Sequence, residues 1–201
     1  MDKGNWCLRP LLSMVLCGAA WAAEMPVRSD KPNDVSFAVQ EAKFVRFVIQ
    51  ASSGSAPCLD ELEVYAPGSA ENLALASKGA KASASSCLPG HALHAIPHLN
   101  DGQYGNGHSW IAASPANEWA QIELPKPARV DRVVFSRDRE GHYRDRLPVA
   151  FEIQLSDDGK KWRTVRQVGR VHALVPETRL LVANKPVVLD FPATEAKCVR
   201  L

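Results

Sequence analysis

The sequence predicts an all-β fold, a sandwich or barrel of many short strands. Three observations predict it. Apolar residues in the informative runs alternate with the period of two expected of strands. No segment beyond the first two dozen residues sustains the 3.6-residue period of an amphipathic helix. Turn-forming pairs punctuate the runs: Pro67-Gly68, Pro89-Gly90, Asp101-Gly102 and Asp158-Gly159, with Pro125 and Pro127 besides.

Taken in order, the chain opens with Lys3 and Arg9 ahead of an apolar run from Leu11 to Ala20, which ends in the small-x-small triplet Ala20-Trp21-Ala22. That order marks residues 1–23 as a secretory signal peptide and places the mature chain outside the cell, in the periplasm or on the cell surface. The apolar run is too short to span a bilayer, so membrane insertion is not expected. Residues 24–36 read as a linker. Residues 37–66 carry a strand pair, Phe44 to Gln50, which is β-branched and aromatic, and Glu61-Leu62-Glu63-Val64-Tyr65, which alternates strictly. From Asn72 onward, strands are expected at 120–124, 130–135, 149–155, 162–168 and 187–191. Asp157-Asp158-Gly159-Lys160-Lys161 supplies a hairpin turn, because glycine accepts positive φ there.

An internal repeat crosses this order. The segment Phe37 to Phe47 recurs as Phe191 to Leu201, with Glu-Ala-Lys-x-Val-Arg in register. Two readings follow: a second copy cut short mid-strand, or a circularly permuted module whose N-terminal strand pair closes the sandwich.

Composition narrows the function. Lys and Arg number 24 against 22 Asp and Glu, and no dense basic stripe exists, which argues against a nucleic-acid partner. No Gly-rich phosphate loop, nucleophile elbow or His-Glu-x-x-His motif occurs, and Asp157-Asp158 lies in a turn with no carboxylate facing it, so catalysis is not expected. His91, His94 and His98 are poor candidates for zinc, since Pro97 breaks helical register and no cysteine stands at ligand spacing.

The ordered set Asn72-Leu-Ala, Asn100-Asp101-Gly102, Ser109-Trp110, Glu118-Trp119-Ala-Gln-Ile-Glu-Leu, Val130-Asp-Arg-Val-Val, Phe151 to Trp162 and Lys197-Cys-Val-Arg-Leu resembles the discoidin, or coagulation factor 5/8 type C, family. Cys58 to Tyr65 resembles that family's final strand, displaced ahead of Asn72. The segment from Ser136 to Leu147 resembles a variant in exported proteins of planctomycete-type bacteria. The resemblance implies a galactose-binding-like jelly-roll sandwich over residues 72–201, apparently cut short at its C-terminus. It also implies a non-catalytic module that recognises glycan or another extracellular ligand through loops at one end. A protein–protein adhesion module, or an accessory fragment of a larger exported enzyme, is the alternative.

The resemblance also implies site residues. A structural Ca²⁺ would draw on Asp101, Ser109, the carbonyl of Asp60 and the carboxylate of Glu61, a mixed oxygen set that suits this cation. Arg139, His142, Tyr143 and Arg144, with His108 and Tyr104 from the neighbouring loop, offer the planar donors and aromatic faces a sugar requires. Trp110, Trp119 and Trp162 fall at core positions of the family. Extracellular relatives commonly tie the first and last strands by a disulfide, which implies a Cys58–Cys87 bridge and leaves Cys198 as a buried thiol.

Overall fold

The computed structural model describes residues 25–169. The expected signal peptide, the strand expected at 187–191, the second copy of the repeat and Cys198 lie outside the described residues. Within them the fold is the expected all-β, antiparallel sandwich. Its strands are β1 (Asn33–Ser52), β2 (Cys58–Leu59), β3 (Glu61–Tyr65), β4 (Lys81–Ala84), β5 (Trp110–Ile111), β6 (Glu118–Ser136), β7 (Pro148–Ser156) and β8 (Arg163–Val168). Two single-turn 3₁₀ helices, Ala76–Lys78 and Ile96–Leu99, are the only helical elements among the described residues.

The larger sheet runs β3-β6-β1-β7-β8, with β4 pairing the edge of β6 that β1 leaves free. β2 and β5 form a separate two-stranded ribbon. The two strands expected in residues 37–66 therefore do not pair with each other. β1 lies between β6 and β7, and β3 pairs β6 through Glu61–Tyr65 and Arg132–Ser136. β1 also starts at Asn33, inside the stretch read as a linker, and Val27 is buried in the core.

Alternation explains why these runs form strands. In β1, Val45, Phe47 and Ile49 are buried while Phe44, Arg46 and Val48 are half-buried on the other face. Phe47 meets Phe135 of β6 and Phe151 of β7 with ring centroids 4.7 and 4.9 Å apart, and the latter two rings lie 5.2 Å from each other. Offset and edge contacts of this kind add to the area buried. Leu59, Trp110 and Ile111 of the ribbon join the same core, and the Trp110 indole N–H donates to the Ser86 carbonyl at 2.8 Å.

Two expectations change. Pro125 and Pro127 were expected to separate two strands, yet β6 runs continuously from Glu118 to Ser136. The pairing jumps from Ala42↔Ala128 to Phe44↔Glu123, so residues 124–127 form a bulge opposite Lys43, with Leu124 kept in the core and Pro125, Lys126 and Pro127 exposed. Prolines lack the N–H a ladder needs and are tolerated where pairing is interrupted. Trp119 and Trp162 are not core residues. They sandwich the Arg46 guanidinium, 4.4 and 3.7 Å from the two rings, on the face of the sheet away from the core. Trp110 alone of the three is fully buried.

Candidate functional site

The site is built where β6 passes into β7, and Asp60, buried between β2 and β3, organises it. One carboxylate oxygen of Asp60 accepts from the Ser136 hydroxyl. The other accepts from the Gly105 amide at 3.0 Å and the Arg139 amide at 2.8 Å. One carboxylate thus ties the 100–109 loop and the 136–147 loop to the start of β3. Each of those donors left unmet in the interior costs about 1–3 kcal/mol. These bonds engage both carboxylate oxygens of Asp60, whereas the atom named for a cation above is its main-chain oxygen.

The 136–147 loop resembles a solvated, self-paired run of alternating charge in sequence, but its base is buried. Arg137 is 1 % exposed and donates to the Asp145 carbonyl, the Asp145 carboxylate and the Asn106 side chain at 2.7, 3.0 and 3.1 Å. Asp138 is fully buried and accepts from the amides of Glu140 and Tyr143. Arg139 pairs with the Glu63 carboxylate, and its guanidinium lies 4.0 Å from the Tyr104 ring centroid. Glu63 in turn accepts from the Tyr65 hydroxyl, and burial with that bond raises the Tyr65 pKa.

Six residues were expected to bind ligand. Two of them, Arg139 and Tyr104, are brought into contact, with Tyr104 still 41 % exposed. His142, Tyr143 and Arg144 stand exposed at the loop tip, His142 lying 3.6 Å from Glu140. His108 lies apart from them, its Nδ1 3.4 Å from Asp101.

Of the expected cation ligands, Glu61 reaches the Asp101-Gly102 turn through the Gly102 amide. Glu61 is buried, and its Oε2 accepts from the Gly102 amide next to Asp101 at 3.3 Å. Its Oε1 is buried without any hydrogen-bond partner. Burial, and then the charges of Asp101, Glu63 and Asp60, push the Glu61 pKa up to about 9. An orphaned carboxylate oxygen in an acidic surround fits a cation. The Ser109 hydroxyl is engaged elsewhere, donating to the Asn106 carbonyl and meeting His94 Nδ1, both at 2.9 Å.

The expected bridge is not formed: Cys58 and Cys87 are free thiols. Cys58 faces Ile111 across the ribbon, while the Leu88 amide bonds the Ile111 carbonyl from the other side. β5 therefore lies between the two cysteine segments, a separation of roughly 9–10 Å at two strand spacings, beyond the ~7 Å a disulfide spans. Cys87 donates to the His94 carbonyl, and burial pushes the Cys58 thiol up to about 11.

Sequence reasoning missed the Asp60 carboxylate, the buried Arg137 with its bonds to exposed Asp145, the buried Asp138, and the approach of His98 to Asp101 and His108. The partners of Asp60 lie 45 to 79 residues away along the chain, so no local spacing signals them. No helix among the described residues is long and apolar enough to cross a membrane.

Comparison with known proteins adds one finding. The model of the F5/8 type C domain family matches residues 81–201. None of the curated proteins and none of the solved structures compared with the chain matches it.

Proposed function

This chain belongs to the F5/8 type C domain family, and from that premise we propose that it is an exported module that binds carbohydrate through the 100–109 and 136–147 loops. Domains of this family are generally non-catalytic binding modules. The observation that carries the reading is an exposed, mixed aromatic and cationic tip on a locked base. Tyr143 is 49 % and Tyr104 41 % exposed beside His142 and Arg144, while Asp60, Arg137 and Asp138 beneath them are buried and hydrogen-bonded. Aromatic faces stack on sugar C–H surfaces, and guanidinium and imidazole donors reach paired hydroxyls. A rigid base lowers the ordering cost of binding.

Ca²⁺ suits the neighbouring acidic pocket. Glu61 and Asp101 would hold it, with the Asp60 carbonyl, and the ion would supply positive charge to an otherwise uncompensated carboxylate. The chain's own part is to fix Gly102 against Glu61 and so set the 100–109 loop beside the ligand tip.

A glycan array probed with the mature chain, with and without EDTA, tests this reading. Retention on a defined class of glycan, lost in Tyr143→Ala with the fold intact, is expected. Absence of any glycan retention, together with capture of an extracellular protein partner, would replace it by the adhesion reading.

A further inference from the structure

The loop that carries Asp101 also takes part in a second donor set. His98, Asp101 and His108 each present a ligand atom, and the three atoms lie within 4.8 Å of one another. None is fully exposed, and the three residues close a short segment that starts in the Ile96–Leu99 turn and ends next to Ser109.

The hydrogen bonds around these groups prepare them for a metal. His98 Nδ1 lies 3.1 Å from the Leu93 carbonyl and 3.3 Å from the Ser109 carbonyl. Two acceptors at one ring nitrogen hold the proton there, which leaves the Nε2 lone pair free. Carbonyl-oriented imidazoles of this kind are typical of histidine metal ligands. Asp101 Oδ1 accepts from the Gln103 amide at 2.8 Å, so its Oδ2, 3.4 Å from His108 Nδ1, is the oxygen turned to the cluster. The rings of His98 and His108 lie 5.4 Å apart, close enough to share one ion after small rotations.

We propose that His98, Asp101 and His108 form a zinc site with a fourth position open to water. Two imidazoles and one carboxylate suit Zn²⁺, which takes three protein ligands and a water at about 2.0–2.2 Å. Hard Ca²⁺ has little use for imidazole, so this donor set differs in kind from the Glu61–Asp101 pocket. The two sites share Asp101. Zinc would tie the 100–109 loop to the Ile96–Leu99 turn through His98.

The test is a titration of the EDTA-stripped whole chain with Zn²⁺ against a chromophoric chelator, paired with the visible spectrum of the Co²⁺ form. One Zn²⁺ per chain and a four-coordinate Co²⁺ band are expected. His98→Gln and His108→Gln should each weaken Zn²⁺ by roughly tenfold or more. Glu61→Gln, whose amide oxygen can still accept from the Gly102 amide, should keep one Zn²⁺ per chain while removing any response to Ca²⁺. His108 is 43 % exposed at its side chain, so its variant keeps the fold, which circular dichroism verifies. Failure to bind stoichiometric Zn²⁺, or binding that survives in the His108 variant, overturns the site. Zinc binding lost only in Glu61→Gln would place the ion in the acidic pocket and overturn it equally.

Discussion

At the scale of single residues, Glu61 concentrates the physics of the site. Its carboxyl is buried, half-satisfied and pushed up to about 9. An acid with a higher pKa folded than unfolded takes up a proton on folding. The stability tied to it is full below its ordinary value of 4.5 and is lost as pH rises toward 9. In EDTA, melting temperature should therefore decline across that window, and Glu61→Gln should flatten the decline and melt higher at its alkaline end. Added Ca²⁺ should restore the wild-type melting temperature at the alkaline end by mass action and leave the variant unmoved. A wild-type curve that is flat with pH in EDTA would contradict the assignment. Residue types named Glu61 and Asp101 as expected cation ligands through resemblance. They could not reveal that Asp60 acts through its carboxylate, because burial and distant donors decide that role.

At the scale of elements, the β7–β8 hairpin shows local chemistry reaching into the sheet. Asp158 Oδ1 accepts from the amides of Lys160 and Lys161, both at 2.8 Å, and these bonds lower its pKa to about 2. Gly159 sits at φ +70°, and a Cβ there would stand 3.4 Å from the Phe44 ring of β1. The turn was legible because Asp-Asp-Gly names both its acceptor and its left-handed position. Gly159→Ala should cost about 1–2 kcal/mol, measured by urea unfolding, with the ligand loops unaffected. An unchanged unfolding midpoint would show that the turn relaxes freely. β6 was less legible, since its two prolines read as breaks. Only the mismatch of register against β1 shows them as a bulge within one strand.

At the scale of the whole molecule, the family match begins at Lys81, yet β1 and β3 precede it and complete the larger sheet, and β2 precedes it to pair β5. β1 is bordered by β6 on one side and β7 on the other, and it contributes Val45, Phe47 and Ile49 to the core. Removing it would expose two strand edges and one wall of the phenylalanine cluster. A chain beginning at Ser53 should therefore fail to fold, showing neither a cooperative melt nor dispersed amide resonances. A folded, cooperative fragment would mean that the matched region closes its own sheet without these strands.

The sequence by itself determined the all-β class, the longer strands β1, β3, β6, β7 and β8 in outline, and the hairpin turn, while the short β2, β4 and β5 were not foreseen. Alternation and turn chemistry act within a few residues and need no partner to be read. Through resemblance it also indicated the family. The tertiary structure decided the rest. It set β1 between β6 and β7, moved Trp119 and Trp162 from core to a stack on Arg46, put β5 between Cys58 and Cys87, and drew His98 to Asp101 and His108. Each of these depends on which strands become neighbours. Neighbourhood across a sheet is fixed by long-range register and shared burial, which no local pattern encodes.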